Sequence, residues 1–391
     1  MTHSPLSTPY RLGDLVLPNR VVMAPMTRYR ATEDGTPLPI VADYYAQRAT
    51  AALIVSEGIS PSARGQSDWR IPALETDAHV AGWRAVTDAV HAAGGRIYAQ
   101  LMHGGRKGHP LARVLGDVPA GPSAVPSPDP VRTRHGDKAA PITPRAMTRA
   151  DIRQALADYH HAARNAVAAG FDGVELHGAN SYLVHQFLAD NTNLRTDEYG
   201  ARRVTDRIRF AVEAVEAIAD AVGAHRTAVR LSPGNPQFGM SEADPAPVYR
   251  ALVDRLDRFG LSYLHLTDDD AYPALRDLRP RWNGTLIGNV GENREPTTRA
   301  AGEAVLAEGL ADLVSYGRAF ISNPDLPARF AADAPLQEID SAHLYGQTAT
   351  GYVDYPALSP AAVLSGVTGR RRSRGRSATT SRLPAPGPAR R

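Results

Sequence analysis

Short apolar runs, each nearly continuous in Val, Ile, Leu, Ala and Tyr, alternate eight times with longer stretches where apolar residues recur every three or four positions. The runs lie at 20–25, 52–58, 96–103, 173–177, 227–232, 262–267, 285–289 and 312–316. Continuity, rather than strict alternation, is what parallel strands show when both faces are covered. The clearest amphipathic helices fall at 78–93, 149–169, 202–222, 246–259 and 297–308. Gly94, Gly170, Gly223, Gly260 and Gly309 stand where these helices should end, as C-cap glycines do. Eight β/α units in series predict a closed (β/α)8 TIM barrel, although the periodicity alone also fits an open doubly wound sheet. Segment 10–18, centred on Gly13-Asp14, reads as a β-hairpin able to cap the barrel floor. The turn-rich stretch 104–144 follows the third strand, so it should lie over the top face as a lid or substrate loop. The expected organisation is one barrel over 1–356 and a separate tail over 357–391.

Composition narrows the chemistry. The 391 residues include no cysteine, which excludes disulfides, thiolate zinc sites, a cysteine nucleophile and cysteine-held iron–sulfur clusters. The polar, turn-rich start has no signal-peptide pattern, and no run reaches the roughly 18 apolar residues of a membrane span. A soluble, cytoplasmic protein is therefore expected, with no membrane partner. The formal charge is +3, but residues 370–391 alone carry eight arginines, so the rest of the chain stands at −5. A basic tail on an acidic body could meet nucleic acid or anionic lipid. The plainer reading, which we adopt, is a disordered extension too rich in Arg, Ser, Pro and Gly to bury a core.

No two glycines are spaced G-x-G, so a dinucleotide fingerprint cannot occur, and neither a P-loop lysine nor an H-E-x-x-H pair is present. His160-His161 sits mid-helix without a third ligand and suggests surface or packing, so no metal is expected. Any redox cofactor must be held otherwise than by a Rossmann turn.

Function on a barrel gathers where strands end. The first strand ends in Ala24-Pro25-Met26-Thr27, and the third runs into Gln100, Leu101, Met102 and His103. The fourth leads to His177, Asn180 and Tyr182, two neutral donors and a phenol within six residues. Such a set could polarise a carbonyl while a proton reaches the neighbouring carbon. The fifth carries Arg230 inside an apolar run, costly unless an anion or electron-rich acceptor meets it, the alternative being a buried ion pair. Gly317-Arg318 ends the eighth strand, and Asn323-Pro324 is expected to open a short helix beyond it. Glycine, arginine and a helix N-terminus suit a phosphate, with Asn289 and Gly291 as the opposite wall.

Segments NRVVMAPMTR (19–28), YYAQRA (44–49), AGWRAVTDAVHAAGGRIYAQL (81–101), AARNAVAAGFDGVELHGANSYLVHQFL (162–188), VRLSP (229–233) and YGRAFISNPDL (316–326) resemble the Old Yellow Enzymes, and the likeness runs from about Pro9 to Pro356. The resemblance implies an FMN-dependent alkene reductase using NADPH or NADH, with non-covalent flavin and small activated alkenes as substrates. Carried over by position, Pro25, Met26, Thr27, Gly58, Gln100 and Arg230 would surround the flavin ring, and Asn289, Gly291, Gly317 and Arg318 its phosphate. His177 and Asn180 would bind the substrate oxygen, Tyr182 would donate the proton, and Gln237 and Tyr345 would contact substrate. Thr27 resembles the branch of the N-ethylmaleimide and pentaerythritol tetranitrate reductases. The state implied is a monomer or homodimer, and nucleic acid is not expected as a partner.

The chain departs from the family at Met102, where tryptophan is usual, at Asp68, near a usual pocket tyrosine, and at Val290, usually glycine. Two other readings stay open at this point: nitrate-ester or nitroaromatic reduction on the same scaffold, and a non-catalytic flavin-binding protein.

Overall fold

The computed structural model describes residues 4–268, 272–291 and 295–358. The arginine-rich tail therefore lies outside the described residues. Eight parallel strands close into a barrel: β1 (Val21–Met23), β2 (Ile54–Ile59), β3 (Ile97–Leu101), β4 (Gly173–Gly178), β5 (Thr227–Leu231), β6 (Tyr263–Asp268), β7 (Thr285–Val290) and β8 (Leu313–Tyr316). Strand β8 pairs with β1, which closes the ring and removes the open-sheet alternative. Every run of apolar residues became a strand, with ends shifted by at most two residues. The first is shortest, because Pro25 has no N–H to donate to a ladder.

The helices follow the predicted pattern, and all five glycines named as caps take left-handed φ values between 66° and 92°. Thr76 and Thr148 open Asp77–Ala92 and Arg149–Ala168 with reciprocal capping boxes. Helix 202–222 is two pieces, Val204–Arg207 and Arg209–Val222, interrupted at Ile208. A short helix, Leu326–Ala332, follows Asn323-Pro324 with Asp325 as its N-cap, but a nearer one, Arg318–Ser322, begins immediately after Gly317, and Asn323 caps its far end. The Asn323 carboxamide, buried, donates to Ala319 O, so its polar group is spent inside the turn.

The hairpin forms from Tyr10–Leu12 and Leu15–Leu17, with Gly13 at φ 55° in its turn. Leu12 and Leu17 pack with Val22, Leu53, Val55, Ala228, Ile287 and Leu313 into one buried cluster that plugs the barrel floor. A larger apolar cluster fills the space between strands and outer helices. Stretch 104–144 carries only short 3-10 turns and two-residue strands, and its residues 107, 127 and 129–132 reach the cavity at the top. Among the described residues no helix is long and apolar enough to cross a membrane.

Candidate functional site

Strand register decides which side chains meet inside the barrel. His177 on β4 stands opposite Arg230 on β5, and Arg230 opposite His265 on β6. One layer up, Thr267 faces Asn289. Beneath Arg230 lies the buried Glu175 carboxylate, which accepts from Gln100 Nε2 at 2.8 Å and pairs with His265 Nδ1 at 2.9 Å. The other nitrogen of His265 lies 2.9 Å from Ser315 Oγ. Burial opposes charge on Glu175, yet His265, Arg230 and Gln100 together hold its pKa below the ordinary value.

Arg230 is not the buried ion pair that its sequence position left open. Among the described residues its guanidinium forms no salt bridge. It makes long hydrogen bonds to Asn289 Oδ1 at 3.3 Å and Thr267 Oγ1 at 3.5 Å, and its buried Nε has no partner. A buried donor left unmet costs about 1–3 kcal/mol, more when charged, so the fork is shaped for an acceptor from outside the chain.

Two connected cavities open above this layer. The larger, about 670 Å³, is lined by Pro25, Met26, Thr27, Tyr182, Arg230 and Tyr345 among others. The smaller, about 200 Å³, is lined by Asn180, Asn289, Gly291, Thr297, Gly317 and Arg318. Pro25, Arg230, Gln237, Gly317 and Arg318 border both. The smaller cavity has the donor set a phosphate needs. Arg318 is exposed to it with no ion pair among the described residues, and Gly317 precedes the helix it opens. A Cβ at Gly291 would come within 2.7 Å of Glu295 O, so this turn closes only around glycine. Asn289 spends its amide on Ser315 O at 3.0 Å and Thr297, and so braces Arg230 more than it offers donors to the cavity. Adjoining cavities that share a buried guanidinium without a salt bridge, Arg230, and an exposed one, Arg318, fit an FMN ring and its phosphate.

Residues 179–182 form the sharpest feature of the site. Asn180 and Ser181 are consecutive left-handed residues, φ 52° and 68°, a conformation that costs energy in non-glycine residues. Asn180 N donates to Ser232 Oγ, Ser181 N to His185 Nδ1, and Gln186 Nε2 to Ser181 O, so three neighbours impose the turn. It leaves the Asn180 carboxamide and the Tyr182 hydroxyl without hydrogen-bond partners among the described residues. His177 is buried behind, its ring centroid 4.9 Å from that of Tyr182 and its Nδ1 unpaired. Burial, then the Arg230 and Lys107 cations, holds His177 well below its ordinary pKa, so the ring is neutral. Burial and the nearby Asp68 carboxylate push Tyr182 up, so it keeps its proton.

Other expected positions fall unevenly. Thr27 lines the larger cavity, while Gln100 lies beneath it, engaged by Glu175. Gly58 packs against Met102, whose sulfur would meet an added Cβ at 2.5 Å. Tyr345 reaches the cavity 5.1 Å from the Tyr29 ring, on a segment clamped by Arg28 through Leu344 O at 3.0 Å and Gly351 O at 2.7 Å. Sequence reasoning missed Lys107, Arg132 and Phe238, which also wall the cavity. Lys107 and Arg132 belong to the irregular stretch 104–144, where no periodicity points inward.

His160 and His161 do not converge: the first faces Asp220 at 3.4 Å, and the second contacts Glu75 O at 2.9 Å.

Comparison with known proteins agrees with this geometry. Residues 5–337 match the NADH:flavin oxidoreductase / NADH oxidase family. 12-Oxophytodienoate reductase 1 of Oryza sativa subsp. japonica is 39% identical over 368 residues, covering 90% of this chain and 93% of that protein. The structure of morphinone reductase in complex with tetrahydroNAD superposes with a TM-score of 0.86 at 42% identity, covering 91% of this chain and 98% of that one. The Old Yellow Enzyme homologue from Zymomonas mobilis gives the same TM-score at 39% identity, covering 90% and 99%. With barrel, cavity lining and family match in agreement, the chain belongs to the NADH:flavin oxidoreductase / NADH oxidase family and, within it, to the Old Yellow Enzymes, FMN-dependent oxidoreductases.

Proposed function

We propose that this enzyme reduces the carbon–carbon double bond of an α,β-unsaturated aldehyde, ketone, imide or nitroalkene with electrons from NADPH or NADH, the two substrates using one cavity in turn. FMN, when bound, would supply the hydride chemistry that links the nicotinamide to the β-carbon of the alkene. Arg230 and Thr27 hold the ring, and Arg318, Gly317 and Gly291 its phosphate. His177 and Asn180 bind the activating oxygen, on which negative charge grows as the β-carbon is reduced. A neutral His177 is suited to this, because it donates without leaving a permanent cation beside the alkene. Tyr182, held protonated by burial, gives its proton to the α-carbon.

The observation that carries the reading is that Tyr182 and Asn180 line the two cavities that Arg230 borders, with the His177 ring 4.9 Å from that of Tyr182 and its buried Nδ1 unpartnered. Flavin retention alone does not require them. Their presence favours catalysis over a non-catalytic flavin carrier. The relatives named for reductase activity, and the neighbour solved with a nicotinamide analogue, support the same reading. The test is the visible spectrum of the purified holoenzyme under anaerobic conditions. NADPH is expected to bleach the flavin band and 2-cyclohexenone to restore it. A band that stays bleached after the enone would overturn the proposal.

A further inference from the structure

Lys107 has no role in the chemistry above, yet it lines the larger cavity beside the proton donor. Its ammonium lies 4.2 Å from the Tyr182 ring centroid and 3.3 Å from that of Phe238. Among the described residues no carboxylate pairs with it and it donates no hydrogen bond, so its contacts are two aromatic faces. The placement is built rather than incidental. The adjacent Arg106, buried, donates its backbone N–H to Gln186 Oε1 at 3.0 Å, and its side chain to Phe238 O at 2.9 Å and Gly239 O at 3.3 Å. That guanidinium pins the loop bearing Phe238, itself at a left-handed φ of 55°, over the lysine. Asp68 and Asp129 line the same cavity and favour the charged lysine from beyond ion-pair distance, and Arg132 adds a second, exposed cation. Cation–π contact offsets part of the desolvation of an ammonium but satisfies none of its N–H donors.

We propose that Lys107 is an anion-binding point of the substrate cavity, and that the enzyme prefers activated alkenes bearing a carboxylate next to the reacting double bond. The inference rests on the alkene-reductase reading and names a substrate class within it. A carboxylate meeting Lys107 would sit alongside Tyr182, and so close to the carbon that receives the proton. The same cation could instead meet a phosphate of the nicotinamide, and the experiment separates the two.

The probe pair is trans-4-oxo-2-pentenoate and its methyl ester, which share one enone and differ in charge. The acid-to-ester ratio of kcat/KM is measured in the wild-type holoenzyme, in Lys107→Met and in Lys107→Arg. A charged hydrogen bond is worth about 1.5–3 kcal/mol, so the ratio is expected to fall at least about tenfold in Lys107→Met and to recover in Lys107→Arg. An unchanged ratio in Lys107→Met overturns the proposal. So does a loss confined to NADPH affinity in the reductive half-reaction, which would assign the cation to the nicotinamide. Binding of saturated 4-oxopentanoate, read from the flavin absorbance, needs no turnover. If the wild type binds it through Lys107 yet reduces neither alkene, the reductase reading fails and the anion site stands.

Discussion

The two ends of this barrel are built on opposite terms. At the floor, Leu12 and Leu17 of the hairpin sit among buried apolar side chains, and the rim hydroxyls are paired, Tyr98 with Ser262 and Tyr10 with Thr285, each at 2.9 Å. At the top, Arg230 Nε and His177 Nδ1 are buried without partners, and Asn180 and Ser181 hold strained backbone. The floor pairs these hydroxyls, the buried Tyr263 hydroxyl being its exception, and contributes stability through apolar burial. The top keeps groups unsatisfied so that they can meet cofactor and substrate, at a cost of a few kcal/mol that the apolar plug helps to offset. A barrel keeps these demands about one strand length apart, which lets a loop change its chemistry without disturbing the core.

The comparison can be broken from either end. The largest effect is expected for Tyr182→Phe, which removes only a hydroxyl at the top. Reoxidation by 2-cyclohexenone should slow by roughly 10²–10⁴-fold, the usual worth of a positioned general acid, while reduction by NADPH keeps its rate. Equal slowing of both half-reactions in stopped-flow absorbance would remove Tyr182 from the protonation step. At the floor, Leu17→Ala should cost about 2–5 kcal/mol in stability, seen as a lower denaturation midpoint, with kcat of the folded enzyme unchanged. A changed kcat would show that the two ends are mechanically coupled. Arg230→Met tests the top as a store of unfavourable energy. Flavin should bind roughly 10–100-fold more weakly, whereas the apoprotein should melt at higher temperature because an unmet buried donor is gone. A lower apoprotein melting temperature would mean that the bonds to Asn289 and Thr267 outweigh that cost.

The smallest effect is a pH dependence. Burial pushes Lys107 down to about 8, against Asp68 and Asp129, which raise it, and with Arg106, which lowers it further. Its other facing groups stay fixed near neutrality, His177 neutral and Tyr182 protonated. The lysine is charged below about 8, so the preference for the carboxylate probe should be present at pH 7 and fade as pH rises towards 9. Lys107→Arg should show a flat profile over that range, and a parallel decline in both proteins would place the titrating group elsewhere.

Much of this contrast could be read in the chain before any coordinates. Period separates strand from helix, and the five cap glycines mark where helices stop, since both signals are local. Helices Ile40–Ala46, Leu183–Leu188 and Ala274–Leu278 escape such reading because two turns or fewer show no usable period. The polar triplet His177, Asn180 and Tyr182 was visible because it crowds one strand end. Lys107 was not: its meaning comes from Phe238, 131 positions away, and from a loop without regular structure. Gln100 shows the converse. Its strand position suggests a group open to the cavity, whereas the neighbouring Glu175 takes its amide.

The clamp on the segment carrying Tyr345 joins Arg28 to Gly351 across 323 positions of sequence. Contacts so distant along the chain form only after the intervening chain has been made and folded. During synthesis, then, all eight strands emerge before the last wall of the pocket exists. A chain ending near residue 340 would keep all eight strands but lose Tyr352 from the core, the Arg28 clamp and the pocket wall that carries Tyr345. The last described residues of this enzyme therefore complete its core and its pocket together, and premature termination would cost both.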